Sequence, residues 1–303
     1  MNKLAVGSVI LFLTLLVVGC SELKDDLPPA GGTLTVHGTG WTDTTASNFH
    51  GKAIRSAGWD MIQCKTCHGQ RYDGGTANVS CLTCHTQAAG PENCTTCHGG
   101  SNNAAPPKDI NRNTARTAPG VGAHQMHLVG GTLFNGTVCS DCHNVPPSVY
   151  SPGHLDSPLP AEVPMNGYIP RTVTNEPTTA DWDSVLPVFT PSPNHSSVDL
   201  SCGNTYCHGH FKNGNTTNAP VWNSTATTQA ACGTCHGDVN APGTLAARAL
   251  PKTSARGGTH PSDFDCASCH SQVVSGTGDN VRIIDKALHV NGKLNVFGQE
   301  RDF

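Results

Sequence analysis

Charged and aromatic side chains are scarce in this chain of 303 residues: 13 % of its residues are charged and 5 % aromatic. So little large apolar side chain excludes an ordinary enzyme domain built round a Leu, Ile, Val and Phe core. Basic residues are also few. The 18 Lys and Arg stand against 22 Asp and Glu, a net charge of -4. That balance excludes a phosphate-seeking nucleic-acid surface, so no nucleic acid is expected as a partner. It is also too small for a charge-driven disordered tail. Helical periodicity is weak throughout, and 33 glycines and 21 prolines punctuate the chain. Something other than side-chain burial must organise it.

What the chain does have is cysteine and histidine, 15 and 16 residues. Six cysteine pairs read Cys-x-x-Cys-His. They are Cys64 and Cys67 with His68, Cys81 and Cys84 with His85, Cys94 and Cys97 with His98, Cys139 and Cys142 with His143, Cys232 and Cys235 with His236, and Cys266 and Cys269 with His270. A seventh unit is longer, Cys202-Gly-Asn-Thr-Tyr-Cys207-His208. C-x-x-C-H is the attachment signature of c-type haem. Two thiols add across the haem vinyl groups, and the next imidazole reaches the iron as proximal ligand. Chance would give about 0.04 such matches in a chain of this composition. A zinc ribbon does not need His after each pair, and a disulfide scaffold would not keep its cysteines in register with His. Seven covalent haems are therefore expected, numbered here 1 to 7 in chain order. Proximal ligands are His68, His85, His98, His143, His208, His236 and His270. The longer loop leaves one alternative open at haem 5, a single thioether through Cys207.

The one cysteine outside these units is Cys20. It follows an apolar run, residues 4–18, after a short basic start. Val17-Val18-Gly19-Cys20 resembles a bacterial lipobox, which implies cleavage before Cys20 and lipidation of its thiol. A plain signal peptide or an uncleaved anchor is the other reading. Two or more acyl chains would anchor the protein firmly. Residues 1–19 are thus expected to be a lipoprotein signal and 20–33 a polar tether.

The run CGNTYCHG, then APVWN, then ACGTCHG resembles the paired CxxxxCH and CxxCH module of multihaem cytochromes from dissimilatory metal-reducing bacteria. It spans residues 202–236. The flanks are similar to that family too: VHGTGW, NFHGK and CKTCHGQRYDGGTANVSCLTCH early, GAHQMHL, CSDCHNVPP and GHLD in the middle, THPSDFDCASCH and ALHVNGKLNV late. The resemblance covers most of residues 34–297. It implies an outer-membrane lipoprotein cytochrome at the cell surface, passing electrons to extracellular metal oxides, to other cytochromes or to a porin-cytochrome conduit. The expected fold is a multihaem cytochrome c, mostly irregular, with short helices, small β-hairpins and a core of stacked haems.

Three close-spaced haems fall in residues 34–104, a Pro/Asn/Thr-rich linker in 105–123 and four haems in 124–303. A Pro/Thr-rich haem-free stretch covers residues 157–194. His289 to Val296 reads as a hairpin about Asn291-Gly292. The attachment units are expected on single helical turns. After a signal is removed, about 41 residues remain per haem, in a body of radius of gyration about 19 Å. Neighbouring irons then stand close enough for tunnelling.

Nine His remain once the proximal ligands are assigned, and Met is too rare to serve seven irons. His37, His50, His124, His127, His154, His260 and His289 lie in family-like contexts and are expected as distal ligands. His195, in a Pro/Ser loop, and His210, two residues after a proximal His, are left out. Bis-His ligation implies low potentials. The leading expectation is an electron carrier without catalytic residues. The alternatives are a reductase of a small oxyanion with one five-coordinate haem, and a subunit of a polymeric cytochrome filament.

Overall fold

A computed structural model describes residues 36–100, 108–174 and 190–301. Cys20, the apolar run before it and the tether lie outside the described residues, as do residues 105–107 of the linker and 175–189 of the haem-free stretch. Among the described residues no helix is long and apolar enough to cross a membrane.

Regular structure is sparse, as the glycine and proline content dictates. The longest described helix, His50–Ser56, has seven residues. Three two-stranded antiparallel ladders complete the regular part. They pair β1 (Asn194–His195) with β2 (Cys202–Gly203), β3 (Val274–Ser275) with β4 (Arg282–Ile283), and β5 (Leu294–Val296) with β6 (Gln299–Arg301). The terminal hairpin therefore sits further along than the Asn-Gly step suggested. Its two-residue loop is Phe297-Gly298, both at positive φ, the geometry that matches strand twist. Gly292 is instead packed beneath the Tyr168 ring.

Six of the seven attachment units form single helical turns. Lys65–His68, Cys94–Cys97, Cys139–Cys142 and Cys266–His270 are α-helical. Cys81–Thr83 and Tyr206–His208 are 3-10 turns. Cys84 falls just past its 3-10 turn, and Cys207 sits inside one. Contrary to expectation, residues 232–236 form a non-helical turn and bend, where Gly233 takes a positive φ. The residue before the first Cys often starts the turn. Asn93 Oδ1 accepts from Thr95 N–H at 2.9 Å and Ser80 Oγ from Leu82 N–H at 3.2 Å, which satisfies otherwise orphaned donors.

The chain divides into two compact units, Met1–Asp60 and Met61–Phe303. In the first, the His37 ring stacks on Trp41 at 4.2 Å between centroids, and the His50 Nδ1–H donates to Trp41 O at 2.9 Å. In the second, little apolar side chain is buried. Met61, Tyr72, Val121, Met165, Tyr206 and Val273 are its larger buried members. Tyr72 is held by polar bonds as well: its hydroxyl donates to Glu92 Oε1 at 2.9 Å, and Lys65 Nζ pairs with the same oxygen at 2.7 Å. Tyr150 joins this cluster by accepting from Met61 N–H at 3.1 Å. The segment from Met61 to Glu92 is thereby tied to Tyr150.

Candidate metal centres

None of the fourteen described cysteines is in a disulfide. Cys67, Cys84, Cys94 and Cys139 are exposed. Cys64, Cys81, Cys97, Cys142, Cys207, Cys232, Cys235, Cys266 and Cys269 are half-buried, and Cys202 is buried. Among the described residues no three His, Cys, Asp or Glu side chains converge on a metal. The expected attachment thiols Cys67, Cys84 and Cys269 therefore belong to no such cluster. This fits their chemistry: a thiol that adds to a vinyl group binds the rim of a macrocycle, whereas the iron takes imidazole. Such a thiol has to be reached from outside the chain, and the open positions of Cys67 and Cys84 allow that.

What recurs is a pair of imidazoles at one separation, with ring planes at angles from 15° to 75°. His98 faces His154 with centroids 6.0 Å apart, His143 faces His124 at 6.2 Å, and His208 faces His127 at 6.1 Å. His236 faces His289 at 6.3 Å, and His270 faces His260 at 6.4 Å. Each pair joins one attachment-unit His to one His from outside the units.

The separation has a direct meaning. Two imidazoles on opposite sides of one metal, each bound through a single nitrogen at about 2.0 Å, hold their centroids about 6.3 Å apart. Direct ring packing would bring them closer, and unrelated rings would scatter widely.

Ring nitrogens give a second, independent observation. The Nδ1–H groups of His68, His143, His208, His236 and His270 donate to the carbonyls of Val79, Glu162, Cys202, Ala249 and Asn295, at 2.6 to 3.4 Å. His124, His127, His154, His260 and His289 do the same to Val121, Ala123, Val149, Pro261 and Leu133, at 2.6 to 3.0 Å. A carbonyl only accepts, so each Nδ1 carries the proton. Each Nε2 is therefore unprotonated, the arrangement second-shell carbonyls impose on metal-binding His.

Electrostatics point the same way. Burial, the largest cause in each case, pushes His124, His208 and His236 down to about 4. Neutral imidazole is the form that binds metal. Burial pushes the Cys142 and Cys202 thiols up to about 11 and Cys207 up to about 12. Thiols held protonated in this way are poor catalytic nucleophiles.

The sites also suit a flat apolar ring. Ile62, Leu82, Val138 and Val145 lie in or beside attachment units with exposed side chains, and Met126 is exposed between His124 and His127. A macrocycle spanning each imidazole pair would cover such surface. Donor set, spacing and surroundings thus fit c-type haem.

The longer unit is closed by its neighbour. Gly209, at φ +106°, follows His208, and a Cβ there would overlap the Cys235 carbonyl. Asn215 Nδ2 donates to Gly233 O and Thr234 O, both at 2.9 Å, and Asn218 Nδ2 donates to His208 O at 2.8 Å. The two attachment units of haems 5 and 6 are therefore one packed module. His195 pairs through its backbone with Cys202 in the β1–β2 ladder, and burial lowers its pKa. Sequence reasoning missed Trp222, whose indole touches both His124 and His127.

No curated protein and no solved structure matches the chain. Residues 201–236 match the family model described as the Geobacter CxxxxCH...CXXCH motif. That match supports covalently bound haem c in a multihaem c-type cytochrome, an electron carrier, within a fold of irregular chain, short helices and small antiparallel hairpins.

Proposed function

We propose that the chain is a heptahaem electron carrier, anchored to the outer membrane through Cys20, that moves single electrons at the cell surface. The acceptors would be extracellular metal oxides or partner cytochromes, with a porin-cytochrome conduit as donor. The observation that carries the haem assignment is the set of five imidazole pairs at 6.0 to 6.4 Å. In this reading haems 1 to 3 are carried by Cys64 with Cys67, Cys81 with Cys84, and Cys94 with Cys97. Haems 4 to 7 are carried by Cys139 with Cys142, Cys202 with Cys207, Cys232 with Cys235, and Cys266 with Cys269. His154, His124, His127, His289 and His260 are the distal ligands of haems 3 to 7, in that order. His37 and His50 complete the distal set.

Neighbouring haems of the second unit would then stand close together. The helical turn His124–Leu128 carries one distal ligand each of haems 4 and 5. Asn215 and the tight approach at Gly209 join the attachment units of haems 5 and 6. When bound, haem would supply the reversible one-electron change, and the chain's part would be to hold each imidazole neutral through its Nδ1–H bond, with Nε2 available to iron. Two imidazoles per iron also leave no position for a small substrate, which favours a carrier over an oxyanion reductase.

The test is a potentiometric titration of the purified protein with stopped-flow oxidation by ferric oxide particles, together with membrane fractionation of wild type and Cys20→Ala. Seven low-spin haems, fast oxidation and release of the Cys20→Ala protein are expected. A stoichiometric high-spin haem that turns over nitrite or another small oxyanion would replace the carrier with the reductase.

A further inference from the structure

His124 and His127 sit on one helical turn, His124–Leu128. Side chains three residues apart on a helix share a face, yet these two rings face different partners. His124 lies nearly parallel to His143, at 23°, whereas His127 is crossed with His208, at 72°. Both Nδ1–H groups are tied to carbonyls of the preceding turn. A hydrogen bond of that kind fixes the tautomer but only loosely fixes the ring plane.

The indole of Trp222 supplies the missing constraint. It stands edge-on to His124, at 4.6 Å and 90°, and tilted against His127, at 5.5 Å and 36°. The indole is itself anchored: its Nε1–H donates to Pro119 O at 2.8 Å and its backbone N–H to Leu200 O at 2.7 Å. Asn223 Nδ2 donates to Thr117 O at 2.8 Å, fastening the next residue to the same strand of chain. Room for the indole depends on Gly122, at φ +43°, where a Cβ would overlap the ring.

We propose that Trp222 is a positioning residue that sets the ring planes of His124 and His127, and so holds haems 4 and 5 in different axial ligand fields at the middle of the chain. The proposal rests on the bis-His reading of these two irons. Imidazole donates π density perpendicular to its own plane. Parallel planes donate into one iron d orbital and split the pair, giving a rhombic low-spin EPR signal. Crossed planes donate into both orbitals and leave them nearly degenerate, giving a highly anisotropic signal. A single aromatic wedge touching one ligand of each haem keeps this difference in place, and with it a difference in potential between neighbours.

The experiment compares full-length, haem-loaded wild type, Trp222→Leu, Trp222→Phe and Gly122→Ala by low-temperature EPR and by spectroelectrochemical titration. In Trp222→Leu, one haem's worth of rhombic signal and one of highly anisotropic signal should move to intermediate g values, with every haem still low-spin. Gly122→Ala, which displaces the indole without deleting it, should shift the same two signals. Trp222→Phe should retain most of the wild-type spectrum. An unchanged spectrum and unchanged potentials in both Trp222→Leu and Gly122→Ala, even with a lowered melting temperature, would overturn the proposal and leave the indole a packing residue. If Trp222→Leu loads too little haem to read, Gly122→Ala against Trp222→Phe decides. A high-spin haem already present in wild type would instead overturn the bis-His reading beneath it.

Discussion

His236 and His289 lie far apart in the chain, yet their rings face each other at 6.3 Å with planes crossed at 75°. His270 and His260 stand at nearly the same distance, 6.4 Å, but at only 15°. The five pairs thus fall into two groups, three near-parallel and two crossed. The EPR spectrum of the oxidised protein should therefore contain both rhombic and highly anisotropic low-spin signals. Integration should give two anisotropic haems among haems 3 to 7. A spectrum with only rhombic signals would contradict the crossed pairs at haems 5 and 6.

Loss of one distal ligand should open one iron. His289 is held by a 2.6 Å bond from Nδ1 to Leu133 O, which fixes the tautomer of its ring. His289→Ala should give one high-spin haem that binds carbon monoxide, and should leave the other haems unchanged. His210→Ala, which is outside the proposed ligand set, should give none. The difference spectrum with carbon monoxide measures both.

The cysteine–histidine units can be read along the chain because their chemistry is local: two thiols and an imidazole lie within a few residues of each other. How open each thiol stands was not legible, since Cys67 and Cys84 are exposed while Cys269, at the same place in its unit, is half-buried. The short helices and small hairpins were legible from glycine and proline density. Pairing was not. His289 finds Leu133 O and His270 finds Asn295 O through tertiary contacts that no spacing encodes. The terminal hairpin moved for a similar reason: Gly292 lies beneath Tyr168, whose hydroxyl donates to Gly292 O at 3.0 Å, so the Asn-Gly step is used in packing and the turn forms at Phe297-Gly298. Trp222 was visible as a residue of the family-like run, but its contact with His124 and His127 appears only in three dimensions.

Haem content should follow the units. Intact mass after denaturation should exceed that of the processed chain by seven haems, about 0.6 kDa each. At haem 5, Cys202 is buried and its carbonyl accepts the His208 Nδ1–H, so both cysteines of the long loop are held near the same ring. Cys202→Ala should therefore retain haem through Cys207 with one vinyl group unreacted, visible as a red-shifted reduced α band. Complete loss of one haem in that variant would show that both thioethers are needed.

Asn215 should matter for stability without touching iron. Its two hydrogen bonds, to Gly233 O and Thr234 O, join the long unit to the next one. Asn215→Ala leaves two carbonyls unsatisfied in a partly buried place, which costs about 1–3 kcal/mol. Guanidinium unfolding followed at the Soret band should show a lower midpoint with an unchanged slope. Haem count and low-spin character should stay as in wild type.

The pH dependence has a definite sign. Burial holds His124, His208 and His236 at about 4, below the ordinary His value of 6.5. Between those two values the unfolded chain binds protons that the folded chain does not, so stability rises with pH through that window. It is complete above pH 6.5 and is lost as pH falls toward 4. Iron competes with the proton for Nε2, and this pushes ligand release further into acid. The low-spin spectrum should thus persist at about pH 5 and convert to a high-spin spectrum only below about pH 4. The more accessible His260, whose bond is to the adjoining Pro261 carbonyl, should leave its iron first. Visible spectra across an acid titration, repeated with His260→Ala, would read the order: the first fraction to become high-spin in wild type should already be high-spin in the variant. Conversion of all haems together near the ordinary His value of 6.5 would mean that the imidazoles are not held neutral by the fold.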